Sequence, residues 1–189
     1  MLKIGKTSSQ RLRLRKNVIG IRHGEALHNI LDQKYGSIVY EQFGDTTLTV
    51  KGMYQAIDSQ IPPPDLVLVS PLTRTLHTAN LMFPETRTVA LECLKEYPQH
   101  INNRRSPIST ISQIFPSVDF SQCEPDPRYW PNNAHPLSNL QEFDARLSAY
   151  EEDNIAVVTH SAWLHYFMSG QIDAQHELQH CFPYILCSK

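Results

Sequence analysis

The sequence predicts an α/β fold, a three-layer α/β/α sandwich around a mostly parallel sheet. Two observations carry this prediction. Unbroken apolar runs of four residues, such as 66–69 and 155–158, have the length and character of strands covered on both faces. They alternate along the chain with segments of helical pattern, as in sheets whose parallel strands are joined by crossover helices.

In order, the strands are expected at residues 18–21, 66–69, 88–91 and 155–158. Three of them run straight into chemically capable residues: Arg22-His23, Ser70-Pro71 and Thr159-His160. A helix is expected over 73–83, with Leu76, Ala79 and Leu81-Met82 on one face and Pro84 as its stop. Residues 162–169 form a second helix ending at Gly170, and a short one is expected around 109–115. Ligands of parallel sheets sit beyond the carboxyl ends of the strands, so Arg22, His23, Ser70 and His160 are predicted to converge on one crevice.

The 189 residues read as one domain, 1–189. Within it, 97–140 is rich in proline and asparagine and reads as an irregular excursion over the active site, too short for a core of its own. With 41% apolar and 19% charged residues, no apolar stretch near the roughly 20 residues of a membrane span and no signal-peptide pattern, a cytoplasmic protein without a membrane partner is expected. A net charge of −2 gives no pull toward nucleic acid. The basic run at 11–16 could touch RNA or anionic lipid, but reads as a solvated lead-in. Cys93, Cys123, Cys181 and Cys187 lack C-x-x-C spacing, which disfavours a zinc ribbon or redox pair.

Three segments carry chemistry. In Arg22-His23-Gly24-Glu25, a neutral imidazole is a competent nucleophile toward phosphorus near neutral pH. The adjacent guanidinium can hold phosphate oxygens, and glycine lets the backbone approach closely. In Ser70-Pro71-Leu72-Thr73-Arg74, a helix start brings a second guanidinium to the same crevice. In Thr159-His160-Ser161, a second histidine, protonated, could stabilise the oxygens of the transferring group.

These segments, in this order, resemble the histidine phosphatase superfamily, the phosphoglycerate-mutase-like group. Arg22-His23-Gly24-Glu25 with Asn29 matches R-H-G-E-x-x-x-N. Leu48-Thr49 with Gly52 matches L-T-x-x-G, and Ser70-Pro71-Leu72 with Arg74, Thr78 and Ala79 matches S-P-L-x-R-x-x-x-T-A. Leu94-Lys95-Glu96 resembles the L-x-E that supplies the family's acid. The resemblance implies that His23 is phosphorylated, that Arg22, Arg74, His160 and Asn29 hold the phosphate, and that Glu96 protonates the leaving oxygen and later activates water. Glu25, Glu124 or Asp126 could take the place of Glu96. It also implies hydrolysis of a small phosphorylated substrate such as a sugar phosphate or phosphoglycerate, without metal or cofactor; oligomeric state is left open.

Two features refine the resemblance. His160-Ser161 replaces the His-Asp of the secreted acid phosphatases, which places the chain in the first branch. Ser161-Ala162 also stands where a glycine is usual. The tryptophan- and glycine-rich segment of cofactor-dependent mutases is missing after Glu96, and the stretches 102–106 and 115–120 resemble fungal and plant mutase-like phosphatases. A mutase is therefore the nearest alternative, and a non-catalytic phospho-ligand module the alternative of another class. Arg104 and Arg105 are further candidates, for substrate binding from the excursion. His176 and His180 share a helical spacing but lack a third metal ligand, and Tyr129-Trp130 reads as packing.

Overall fold

The computed structural model describes residues 16–97, 100–125, 136–172 and 177–187. Residues 11–15 of the basic run, Asp126, Tyr129-Trp130 and His176 lie outside them. Among the described residues the order is β1 (Asn17–Arg22), α1 (Leu27–Tyr35), α2 (Val39–Gln42), α3 (Val50–Ile57), β2 (Leu66–Val69), α4 (Thr73–Met82), β3 (Thr88–Ala90), α5 (Ile108–Ile114), β4 (Val118–Asp119), α6 (Pro136–Leu147), β5 (Asn154–Thr159), α7 (Ser161–Ser169) and β6 (Pro183–Cys187). Single 3-10 turns lie at Glu92–Leu94 and Ile101–Asn103.

The sheet runs β4-β3-β2-β5-β1-β6, parallel throughout except for β6, which pairs antiparallel with β1. Alternate residues of the central strands feed two cores. Leu66, Leu68, Ile155 and Val157 pack with Phe143, Leu147, Trp163 and Leu164 of α6 and α7. Val67, Val69, Ala156 and Val158 pack with Leu76, Ala79 and Phe83, and with Ile111 and Phe115 from α5 and its end. Two cores on two faces make the three layers that the apolar runs predict.

Strands β4 and β6 and helices α1, α2, α3 and α6 were not expected from the sequence. Within 97–140 the short helix expected around 109–115 is present as α5, with Ile111 fully buried, and β4 follows it. Cys93, Cys123 and Cys181 are thiols outside any disulfide. No helix among the described residues is long and apolar enough to cross a membrane.

Candidate active site

The order β2-β5-β1 sets three strand ends side by side. Arg22 is in register with Thr159, and Val69 with Val158, so His23, Ser70 and His160 follow adjacent strands at the same edge. There a cavity of about 440 Å³ is lined by Arg22, His23, His28, Asn29, Arg74 and Glu96, together with residues of the 97–103 loop and Glu177.

The turn after β1 is fixed by its two glycine contacts. A Cβ on Gly24 would lie 2.4 Å from the Gly52 carbonyl oxygen, and one on Gly52 would lie 2.1 Å from the Glu25 carbonyl oxygen. Thr49 caps α3 by accepting from the Gly52 N–H at 3.0 Å and donates to the Glu25 carboxylate at 2.9 Å. The Leu48-Thr49-x-x-Gly52 pattern is thus the mould against which the nucleophile's loop is pressed. We expect Gly52→Ala to lower stability by about 1–3 kcal/mol and to cost activity, checked by urea denaturation beside phosphate release; an unchanged midpoint would contradict this packing.

The geometry of His23 defines its tautomer. Its Nδ1 lies 2.8 Å from the Gly24 carbonyl oxygen, which can only accept, so Nδ1 carries the hydrogen and Nε2 keeps its lone pair. Burial, with Arg74, His160 and Arg22 nearby, holds the ring well below the usual histidine range. His23 is therefore a neutral imidazole with a free Nε2, the form a nucleophile needs.

The cations around it are buried and only partly satisfied. Arg74 donates to the Asn102 carbonyl at 3.0 Å and to Asn103 Oδ1 at 2.8 Å. Burial lowers its pKa to about 10, which leaves it charged at neutral pH. Arg22 donates to the Leu178 carbonyl at 2.5 Å and to Glu177 at 2.8 Å. His160 packs edge-on to His23, ring centroids 5.2 Å apart, with Nε2 at 2.9 Å from Ser70 Oγ. Arg22 Nε, Arg74 Nε and His160 Nδ1 are buried with no hydrogen-bond partner among the described residues. Buried polar atoms left unmatched at one locus point to a missing ligand, here an oxyanion.

The sequence reading pictured His160 as protonated. Burial and then Arg74 push it well below the usual range, so it is neutral until an anion arrives. His28 falls to about 2 and His180 to about 4, in each case chiefly through burial. The sign of the pH effect follows. Above about pH 6.5 these histidines are neutral both folded and unfolded. As pH falls below it, only the unfolded chain takes up protons, so stability falls by about 1.4 kcal/mol per pH unit for each such group. Urea midpoints at pH 7.5 and 5.5 should therefore drop on the acid side, and less so with inorganic phosphate present; a flat profile contradicts the buried neutral cluster.

Glu96 is placed by the segment that precedes it. Thr159 Oγ1 donates to the Leu94 carbonyl at 2.8 Å, and Trp163 Nε1 to the Cys93 carbonyl at 2.8 Å. Its carboxyl meets the N-terminus of α7, with Oε1 accepting from Tyr97 N at 2.9 Å and Trp163 N at 3.1 Å, and Oε2 from Ala162 N at 3.1 Å. Those amides and Arg74 favour the carboxylate, but burial outweighs them and raises the pKa. Oε2, with one donor against two, has the room to carry the proton.

Other candidates fall elsewhere. Asn29 Oδ1 accepts from Ala26 N at 2.9 Å, so this cavity residue also braces the first turn of α1. Glu25 is held ionised chiefly by Lys51, 2.8 Å away, and does not line the cavity. Glu124 is exposed, and its carbonyl accepts from Arg105. Arg105 does not descend over the cavity. It is buried against Glu92 at 2.7 Å, beside a Lys95–Glu92 pair also at 2.7 Å, because a charge removed from water needs a counter-charge. Arg104 is exposed and likewise absent from the cavity wall. His180 Nδ1 donates to the His23 carbonyl at 2.5 Å, so it braces the nucleophile's backbone.

Three residues at the site were not singled out by sequence reasoning. His28 hydrogen-bonds Thr46 at 2.6 Å with its ring 5.8 Å from that of His23. Asp45 accepts from Thr73 N and Ser106 N at 2.7 Å each, tying the start of α4, and so Arg74, to the excursion. Glu177 pairs with Arg22. The first follows the R-H-G-E signature directly and could have been suspected; the other two join sites remote in sequence and carry no local signal.

Comparison with known proteins agrees with this fold. A plant protein described as phosphoglycerate mutase-like, from Arabidopsis thaliana, is 26% identical over 205 aligned positions, covering 82% of this chain and 74% of that protein. The phosphoserine phosphatase of Entamoeba histolytica, solved with 3-phosphoglyceric acid, superposes with a TM-score of 0.56 at 22% identity, covering 89% of this chain and 88% of that one. The α-ribazole phosphatase of Shigella flexneri superposes with a TM-score of 0.51, also at 22% identity, over 82% and 78% of the two chains. The sequence model of the histidine phosphatase superfamily, branch 1, matches residues 18–188, and the chain belongs to that family.

Proposed function

We propose that this protein hydrolyses small phosphomonoesters through a phosphohistidine on His23. The observation that carries this is a neutral His23 with a free Nε2 beside the buried Nε–H groups of Arg22 and Arg74 and the buried Nδ1 of His160, none of them partnered among the described residues. A phosphoryl group bound there supplies the missing acceptors, and its charge favours protonation of His160. Nε2 attacks phosphorus, the bond to the alcohol oxygen breaks, and Glu96 gives that oxygen its proton. Water then displaces His23 from phosphorus, with Glu96 taking the proton back. Arginines supply the charge balance throughout.

The solved phosphatases similar to this chain support the same reading, as does membership of the family. The test is inorganic phosphate release from a panel of phosphomonoesters, with and without a bisphosphoglycerate. Release independent of the bisphosphate is expected. Isomerisation of a phosphoglycerate that requires it, without release, would replace hydrolysis with mutase chemistry.

A further inference from the structure

We propose that the outer half of the cavity selects phosphomonoesters whose leaving alcohol carries an ammonium group and disfavours those carrying a carboxylate. The proposal rests on the phosphatase reading and adds the class of substrate to it. Beyond the phosphate cradle the wall is built around Tyr40. Asp32 and Glu177 line the cavity with it, and burial first, then these carboxylates, push its phenol well above the usual tyrosine range. His28 meets the Tyr40 ring edge-on at 6.1 Å, and His100 stacks on it at 5.7 Å.

Among the described residues lining the cavity, the permanent cations are Arg22 and Arg74, and both belong to the phosphate end. Glu177 already occupies the Nη2 of Arg22, so that guanidinium offers its remaining charge inward. His100 is bonded to Glu41 at 2.5 Å, which matches its charge when protonated. Arg104 and Arg105 do not reach the wall. What remains for a leaving group is a set of acceptors. Asp32 provides a carboxylate, and Glu177 a second one whose charge is shared with Arg22. Asn102, which lines the cavity and is 4% exposed, holds a buried Oδ1 with no hydrogen-bond partner. An acceptor buried without a donor calls for a ligand that brings one.

A leaving group with a carboxylate would meet the like charge of Asp32 with no further cation among the described residues. An ammonium meets the opposite charge of Asp32, an unsatisfied amide oxygen and an aromatic ring. The cavity thus has a dianion-binding floor and a cation-accepting wall, the charge pattern of an amino-alcohol phosphate. A phosphoglycerate, anionic at both ends, fits only the floor.

The test compares O-phosphoethanolamine with 3-phosphoglycerate on the full chain, reading the ratio of kcat/KM so that general damage cancels. The wild type should favour O-phosphoethanolamine by about tenfold or more, given opposite rather than like charges at partly exposed sites. Asp32→Asn should lower that ratio by about tenfold, and Asp32→Arg should invert it. A wild-type preference for 3-phosphoglycerate, or a ratio indifferent to both substitutions, overturns the proposal. Titration calorimetry of the two ligands separates it from the reaction itself. Selective binding of O-phosphoethanolamine without phosphate release would uphold the selectivity and remove the phosphatase reading, whereas equal binding would remove the selectivity.

Discussion

Replacing His23 with alanine should lower kcat/KM for every phosphomonoester by about three orders of magnitude or more, the usual cost of deleting a covalent nucleophile. Among the described residues, no neighbouring ring is set to replace it. His28 is committed to Thr46, His160 to Ser70 and His180 to the His23 carbonyl, all through hydrogen bonds of 2.9 Å or less. The same substitution leaves Arg22 and Arg74 in place, held by backbone and by Asn103 and Glu177. Inorganic phosphate should therefore still bind the His23→Ala protein when measured by calorimetry. Retained hydrolysis would mean that water attacks phosphorus directly, and lost phosphate binding would mean that the histidine had been structural.

The second large effect concerns the proton. Glu96→Gln should lower kcat by about two to four orders of magnitude for an alkyl phosphate, the range that general acid catalysis supplies. The loss should be smaller for p-nitrophenyl phosphate, whose leaving oxygen needs little protonation. The pH profile gives an independent reading. Activity requires a neutral His23 and a protonated Glu96. The acid limb should lie well below the usual histidine range, where His23 protonates, and the alkaline limb above the ordinary glutamate value, where Glu96 ionises. Glutamine removes the alkaline limb and leaves the acid one. Because glutamine can match one oxygen but not both at the α7 amides, the melting temperature is measured alongside. A glutamine variant with equal losses for both leaving groups and an unchanged alkaline limb would place the proton donor elsewhere.

Much of this was legible in the residues, for a physical reason. β1, β2 and β5 lie inside the sheet, so both faces are covered and the runs are apolar without interruption; the reactive residues follow at their ends because chain leaving a buried strand emerges at the crevice. Strand β3 was recovered but ends one residue sooner than expected, at Ala90. β6 was missed although residues 184–187 are apolar, since it is a partly exposed edge strand that runs antiparallel and does not end in chemistry. β4 is only two residues long, below any pattern.

The site divides in the same way. Arg22, His23, Arg74, Glu96 and His160 are brought to one locus by elements whose order could be read directly. Arg105 shows where such reading stops. A guanidinium in a proline-rich loop suits an anionic substrate, but its partner is Glu92, thirteen positions earlier in a 3-10 turn, and only the fold brings the two together. Asp45 acts through the same kind of distance, from a backbone with φ of 40°. The protonation states were not legible at all, because they depend on burial and on the proximity of two guanidinium groups to three rings.

The most direct test of the account is to mix enzyme with substrate, quench in alkali, where phosphohistidine survives, and sequence the peptides by mass spectrometry. The account predicts a phosphoryl group on the peptide holding Arg22-His23-Gly24-Glu25, localised to His23, and accumulating when the water-activating step is slowed in Glu96→Gln. Turnover with no phosphorylated peptide at any time, or a phosphoryl group on His28, His160 or His180 instead, would contradict it.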